Sequence, residues 1–127
     1  MDFDDLDEAI NAAAPSMSFY AISDVHVEIK KNMEWLKTTP EEPQGTILIA
    51  GDLGVSLQEV ESALRCFVRK YAHVFYCFGN HELWAPSAER KQKQLSDSFE
   101  KLDRLREICR RLGVKTSAEL IEGVWVV

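Results

Sequence analysis

Cysteine is scarce in this sequence. Cys66, Cys77 and Cys109 are the whole complement in 127 residues, odd in number, widely spaced and without a Cys-x-x-Cys pair. That pattern excludes a disulfide framework. Each cysteine falls in an apolar helix or strand pattern, so reduced core thiols in a cytosolic protein are expected. Long apolar runs are missing too. None approaches the roughly 20 residues that span a bilayer, so no membrane partner is expected. The N-terminus lacks a basic stretch followed by an apolar one, so no secretory signal is expected there. Basic charge is in deficit: Lys and Arg number 15 against 21 Asp and Glu, for a net charge of −6. This argues against nucleic acid as a partner, but not against a small phosphorylated substrate. Neither Gly-x-x-x-x-Gly-Lys-[Ser/Thr] nor Gly-x-Gly-x-x-Gly occurs, so a mononucleotide-binding domain is the weakest of the α/β readings. No internal repeat or low-complexity segment is present.

What remains is ordinary for a soluble domain: 46% apolar and 28% charged residues. The length suits one modest domain. Residues 1–16 are acidic (Asp2, Asp4, Asp5, Asp7, Glu8), then Ala-rich up to Pro15. They are expected to form a mobile tail, with the domain over residues 17–127 and a cytoplasmic setting.

Three apolar runs each finish in polar, metal-seeking residues. Ser18–Ser23 leads into Asp24-Val25-His26, Thr46–Ala50 into Gly51-Asp52, and His73–Phe78 into Gly79-Asn80-His81-Glu82. Asp24, Asp52 and Asn80 are spaced 28 residues apart, room for a strand, a crossover helix and a return. If the strands are parallel, all three polar ends meet at one sheet edge, where ligands collect in open α/β sheets. Helical spacing predicts a short helix over Glu28–Thr38 and a loop over residues 39–45, where two prolines and a glycine leave little alternative. Ser56 and Glu59 form a capping-box pattern before a helix of about 15 residues whose apolar face is Leu57, Val60, Leu64, Phe67 and Tyr71. Residues 83–94 read as a polar connection containing Arg90, Lys91 and Lys93. Asp97 and Glu100 cap a helix that stops at Gly113. The last ten residues read as two strands about Glu122-Gly123.

Asp24 and His26 are two apart, so an extended chain points both to one side. Carboxylate oxygen with imidazole nitrogen suits Mn, Fe, Zn or Ni better than Ca. Asp52 is placed to share its oxygens between two cations about 3.5–4 Å apart. Asn80 lends an amide oxygen to the second. His81 is placed to give a proton to a leaving oxygen. Two carboxylates facing two dications leave a net positive site, which fits a phosphate.

The pattern Asp24-x-His26, Gly51-Asp52, Gly79-Asn80-His81-Glu82 resembles the calcineurin-like metallophosphoesterases. The resemblance covers residues 18–127. It implies an α/β fold of the metallophosphoesterase type, a β-sandwich flanked by helices. Only the first half is expected in this chain: βαβαβ, a further helix and a terminal hairpin. It further implies two divalent metal ions. Asp24 and His26 would hold one, Asp52 would bridge both, Asn80 would hold the other, and His81 would act on the phosphate or leaving group. Glu82 stands where the family often has Asp and is expected to orient His81. The family's further histidine and its Gly-His-x-His motif are absent, and His73 lies at the start of its strand, far from the site.

Two readings follow. One is a metal-dependent phosphoesterase acting on a phosphate mono- or diester of a small molecule or phosphoprotein. The other is a catalytically inactive fragment or binding module of the same fold. Under either, one sheet face would lack its partner, so a C-terminal half or a partner chain is expected to cover it.

Overall fold

A computed structural model describes residues 17–91 and 95–127. The expected tail over residues 1–16 and the basic residue Lys93 lie outside the described residues. Strands β1 (Phe19–Ile22), β2 (Glu42–Ala50) and β3 (Tyr71–Cys77) form a parallel sheet in that order. Between them run α1 (Lys30–Thr38) and α2 (Leu57–Lys70); after β3 come a 3-10 turn (His81–Leu83), α3 (Ser87–Lys91) and α4 (Ser98–Leu112). A hairpin of β4 (Glu119–Ile121) and β5 (Val124–Val126) closes the described chain.

The sheet's register decides where the site lies. Ile22 pairs with Ile49, and Ala50 with Cys77, so the three strands end within a residue or two of one another. The polar residues that follow are therefore brought to one edge.

Alternation along β2 and β3 sends Ile47, Ile49, Val74 and Tyr76 to the helical face. There they meet Leu36 of α1, Val60, Leu64 and Phe67 of α2, and Leu105 and Ile108 of α4 in one buried cluster. Fully burying each such side chain contributes about 1.5–3 kcal/mol. The α2 start is a full capping box: Ser56 Oγ accepts the Glu59 N–H at 3.2 Å, and Glu59 Oε2 accepts the Ser56 N–H at 2.9 Å. Asp97 caps α4 by accepting from the Phe99 and Glu100 N–H groups. Glu100 reaches instead to Ser96, one residue before the cap. α4 stops at Gly113, whose φ of 73° is left-handed.

The other sheet face is partly covered. Met17, Phe75, Ile121 and Val126 pack there with Leu48 beside them, while Phe19, Leu120, Val124 and Trp125 are exposed. Lys115 extends the sheet by a single parallel bridge to Phe75.

Several expectations need correction. β2 begins at Glu42, within the segment read as a loop; Pro43 lacks an N–H, and the ladder shifts register between Glu42 and Thr46 to pass it. α1 begins at Lys30, because Glu28 is drawn out of the helix toward His26. The connection after Leu83 contains α3. The cysteines are not all core thiols. Cys109 is buried and Cys66 half-buried, but Cys77 is exposed, since strand alternation places it with Phe75 on the second sheet face.

Thiol labelling reports this arrangement. Burial pushes the Cys109 thiol up to about 11, so it is both shielded and protonated at neutral pH. An aromatic disulfide reagent is expected to label Cys77 first, Cys66 more slowly, and Cys109 only on unfolding. Equally fast reaction at all three in the native protein would contradict this core.

Candidate metal centre at the sheet edge

The loops leaving the three strands are laced together by backbone hydrogen bonds. The Asp24 N–H donates to Gly51 O at 3.1 Å, the His26 N–H to Asp52 O at 3.1 Å, and the Val27 N–H to Leu53 O at 2.9 Å. The chain cannot stay extended while making this seam. Asp24, His26 and Asp52 have φ values of 54°, 50° and 52°. Left-handed backbone at a residue other than glycine costs on the order of 1–3 kcal/mol and gathers at functional sites. The expectation that an extended Asp24–His26 segment points both side chains one way is thus corrected in its reason. Even so, His26 Nε2 lies 3.9 Å from Asp24 Oδ1.

Glycine makes the next approach possible. A Cβ on Gly79 would fall far inside contact distance of Asp52 Oδ1 and 2.6 Å from Asp52 N. Only a bare backbone lets the β2 and β3 exits come this close. Asp52 Oδ1 then accepts the His81 N–H at 3.1 Å. The His81 ring lies edge-to-face with His26, ring centres 4.7 Å apart.

Among the described residues, one group of three acidic, histidine or cysteine side chains is close enough to share a cation: His26, Asp52 and His81, with donor atoms all within 4.8 Å of one another. Asp24 borders it beside His26, with 64% of its side chain exposed. Asn80 is exposed and its side chain caps no turn. The group thus brings together His26, Asp52 and His81 of the expected site residues, with Asp24 at its border. His73 sits at the far end of β3, paired with Thr46, away from the cluster.

The donor set fits a transition-metal dication, and the surroundings strengthen the fit. His26 Nδ1 lies 2.9 Å from Glu28 Oε1. An ionised carboxylate only accepts, so Nδ1 carries the proton and Nε2 keeps its lone pair for the site. The Asn32 amide donates to the Val25 and His26 carbonyls at 2.8 and 3.2 Å, fixing the turn from α1. His81 Nδ1 is shut off from solvent and has no protein hydrogen-bond partner.

Glu82 does not orient His81. Its carboxylate is fully buried and accepts from the Leu53 N–H at 2.6 Å, the Tyr76 hydroxyl at 2.7 Å and the Gly79 N–H at 2.9 Å. It turns inward because three donors lie beneath it and none lies toward the ring. Burial and the Glu82 charge together raise the Tyr76 phenol far above its usual range, so it stays a donor. Sequence reading also missed Trp84, whose indole stacks on His81 at 3.9 Å, and Lys101. The Lys101 side chain is fully buried, donates to the Val55 and Trp84 carbonyls, and pairs with Glu89 at 3.3 Å. Burial lowers its ammonium, against the pull of Glu89. The available signal for Glu28 was its place two residues after His26.

Fold and cluster define an α/β protein with a candidate metal site at its sheet edge. The chain belongs to the calcineurin-like phosphoesterase family, whose model matches residues 17–124. It is 30% identical over 100 residues to the [acyl-carrier-protein] phosphodiesterase PptH of Mycobacterium tuberculosis, an alignment covering 78% of this chain and 30% of that one. The crystal structure of that phosphopantetheinyl hydrolase superposes with a TM-score of 0.70 at 29% identity, over 79% of this chain and 35% of its own. A protein of unknown function from Aquifex aeolicus is similar at 16% identity and a TM-score of 0.41, over 87% of this chain and 58% of that one; this is too distant to bear on the site. The chain thus spans about a third of the length of PptH.

The Glu28 contact can be tested directly. Glu28→Ala is expected to weaken Zn²⁺ binding roughly 10- to 100-fold, the usual cost of losing a carboxylate behind a ligating histidine. Calorimetry with Glu28→Gln alongside checks it. Undiminished affinity in Glu28→Ala would mean that His26 does not ligate through the nitrogen that Glu28 sets.

Proposed function

We propose that this chain carries the metal-holding part of a metal-dependent phosphoesterase that hydrolyses a phosphate mono- or diester. One observation carries the reading: His26, Asp52 and His81, each leaving a different parallel strand, converge within 4.8 Å at the sheet edge of a calcineurin-like phosphoesterase.

In this reading two divalent ions, of Mn, Fe, Zn or Ni type, sit at that edge. Asp24 and His26 would hold the first, Asp52 would serve both, and Asn80 would offer its amide to the second. When bound, such ions supply Lewis acidity toward the phosphate and lower the pKa of water. The chain's own residues do the rest. Gly51 and Gly79 let the exits of β2 and β3 approach each other and bring Asp52 against the His81 turn. The His81 ring delivers a proton to the leaving oxygen as water's oxygen bonds to phosphorus and the ester P–O bond breaks.

PptH is described as a phosphodiesterase of acyl-carrier protein and as a phosphopantetheinyl hydrolase. That likeness favours a diester joining a phosphorylated small molecule to a protein as the first substrate class to try. The free thiols fit a cytoplasmic setting. The exposed apolar residues Phe19, Leu120 and Trp125 mark the face that a C-terminal half or a partner chain would cover.

A second reading is favoured by the ligand count. Among the described residues this assignment leaves the second ion only Asp52 and Asn80, and His73 lies too far along β3 to help. A binding module that keeps one ion and no turnover fits that shortage.

Purified protein with added Mn²⁺ separates the two. The phosphoesterase reading expects aryl phosphate hydrolysis that a chelator abolishes; metal bound with no turnover supports the module. Under the phosphoesterase reading, Asp52→Asn is expected to lower Mn²⁺ affinity more than Asn80→Ala, because a bridging carboxylate would carry charge to both ions and the amide to one. Equal losses by calorimetry would count against the bridge.

A further inference from the structure

Trp84 is the one large aromatic side chain that the fold fixes beside the cluster and still leaves 51% exposed. Its backbone is held from both sides. The Trp84 N–H donates to His81 O at 3.2 Å, and its carbonyl accepts from the buried Lys101 ammonium. Lys101 is itself pinned by Glu89, whose other oxygen accepts the Leu57 N–H at 2.9 Å at the start of α2. Three helices therefore determine where this indole stands. The remaining exposed tryptophans, Trp35 and Trp125, lie on α1 and on the hairpin.

A merely structural tryptophan would turn its ring into the core. This one covers the His81 imidazole with the rings tilted 31° to each other, and half of its surface meets solvent. An open indole beside a proton-donating ring contacts whatever the leaving oxygen is attached to. An indole attracts flat or compact apolar groups and offers a polyol little beyond a single N–H donor.

We infer that Trp84 is a specificity-determining residue, the wall against which the ester's leaving group packs. It selects phosphate esters with a planar or compact apolar group next to the ester oxygen over those with a polyol there. This rests on the phosphoesterase reading above and deepens it by naming which part of the substrate the chain recognises beyond the phosphate.

The test uses the full chain with Mn²⁺ and two esters, phenyl phosphate and glycerol phosphate. In Trp84→Ala the ratio of kcat/KM for phenyl phosphate to that for glycerol phosphate is expected to fall roughly five- to tenfold, the effect of losing one aromatic contact. The loss should fall mainly in KM, and Trp84→Phe should restore most of it. A readout independent of turnover is the indole N–H resonance of Trp84, assigned by its disappearance in Trp84→Phe. Phenylphosphonate is expected to shift it at concentrations where methylphosphonate does not. An unchanged ratio in Trp84→Ala, with both esters losing kcat alike, would overturn the wall and leave Trp84 as support for His81. An indole resonance that ignores phenylphosphonate would overturn it as well. If the wild-type protein hydrolyses neither ester, the phosphoesterase reading fails; the phosphonate arm still decides whether Trp84 receives the ester's organic group.

Discussion

A carboxylate with no access to water holds this site together. Glu82 lies beneath the loops that leave β2 and β3 and accepts one hydrogen bond from each, through the N–H groups of Leu53 and Gly79. The third comes from the phenol of Tyr76, which belongs to the helical core. A buried carboxylate is costly unless it is fully hydrogen-bonded, and removing any one donor leaves an unsatisfied charge. The two loops are therefore bound to a common point, and their separation is set by one side chain. Asp52 precedes Leu53 and His81 follows Gly79 by two residues, so their relative placement follows.

The same logic extends to β1 through backbone alone. The seam from Asp24, His26 and Val27 to Gly51, Asp52 and Leu53 forces positive φ at three residues that are not glycine. That strain is sustained because the seam, the Asn32 amide and the Glu82 contacts over-determine the loops. A parallel sheet makes the arrangement feasible, since it delivers three chain exits to one edge with the helical core directly below. On the other side, Lys101 and Glu89 tie the His81–Trp84 segment to α2 and α4. His81 thus stands on a braced turn, as a preorganised site requires.

Much of this was legible in the sequence, for identifiable reasons. Strand exits announced themselves because apolar β runs stop abruptly at Gly-Asp and Gly-Asn-His-Glu. The α2 and α4 starts could be read from Ser56, Glu59 and Asp97, because capping is local chemistry. What stayed hidden was non-local. Glu82 looked like a partner of its neighbour His81; nothing along the chain shows that Tyr76 and Leu53 lie beneath it. Lys101 drew no notice along the chain, and only the packed α4 shows its ammonium among carbonyls. The exposure of Cys77 and the start of β2 at Glu42 turn on sheet face and register, which periodicity over a short run does not settle. Left-handed backbone at Asp24 and His26 has no sequence mark at all, and an extended segment was the natural assumption.

The central claim is that His26 and Asp52, from different strands, hold a metal ion at the sheet edge with the His81 ring directly beside it. The chain offers an internal control, because its only other histidine, His73, sits at the opposite end of β3. A Zn²⁺ titration followed through the imidazole resonances of all three histidines tests the claim most directly. The account predicts that His26 and His81 shift together and saturate at the same equivalents of zinc while His73 stays in place. A shift at His73 matching that of either partner, or a response from His26 with none from His81, would contradict it.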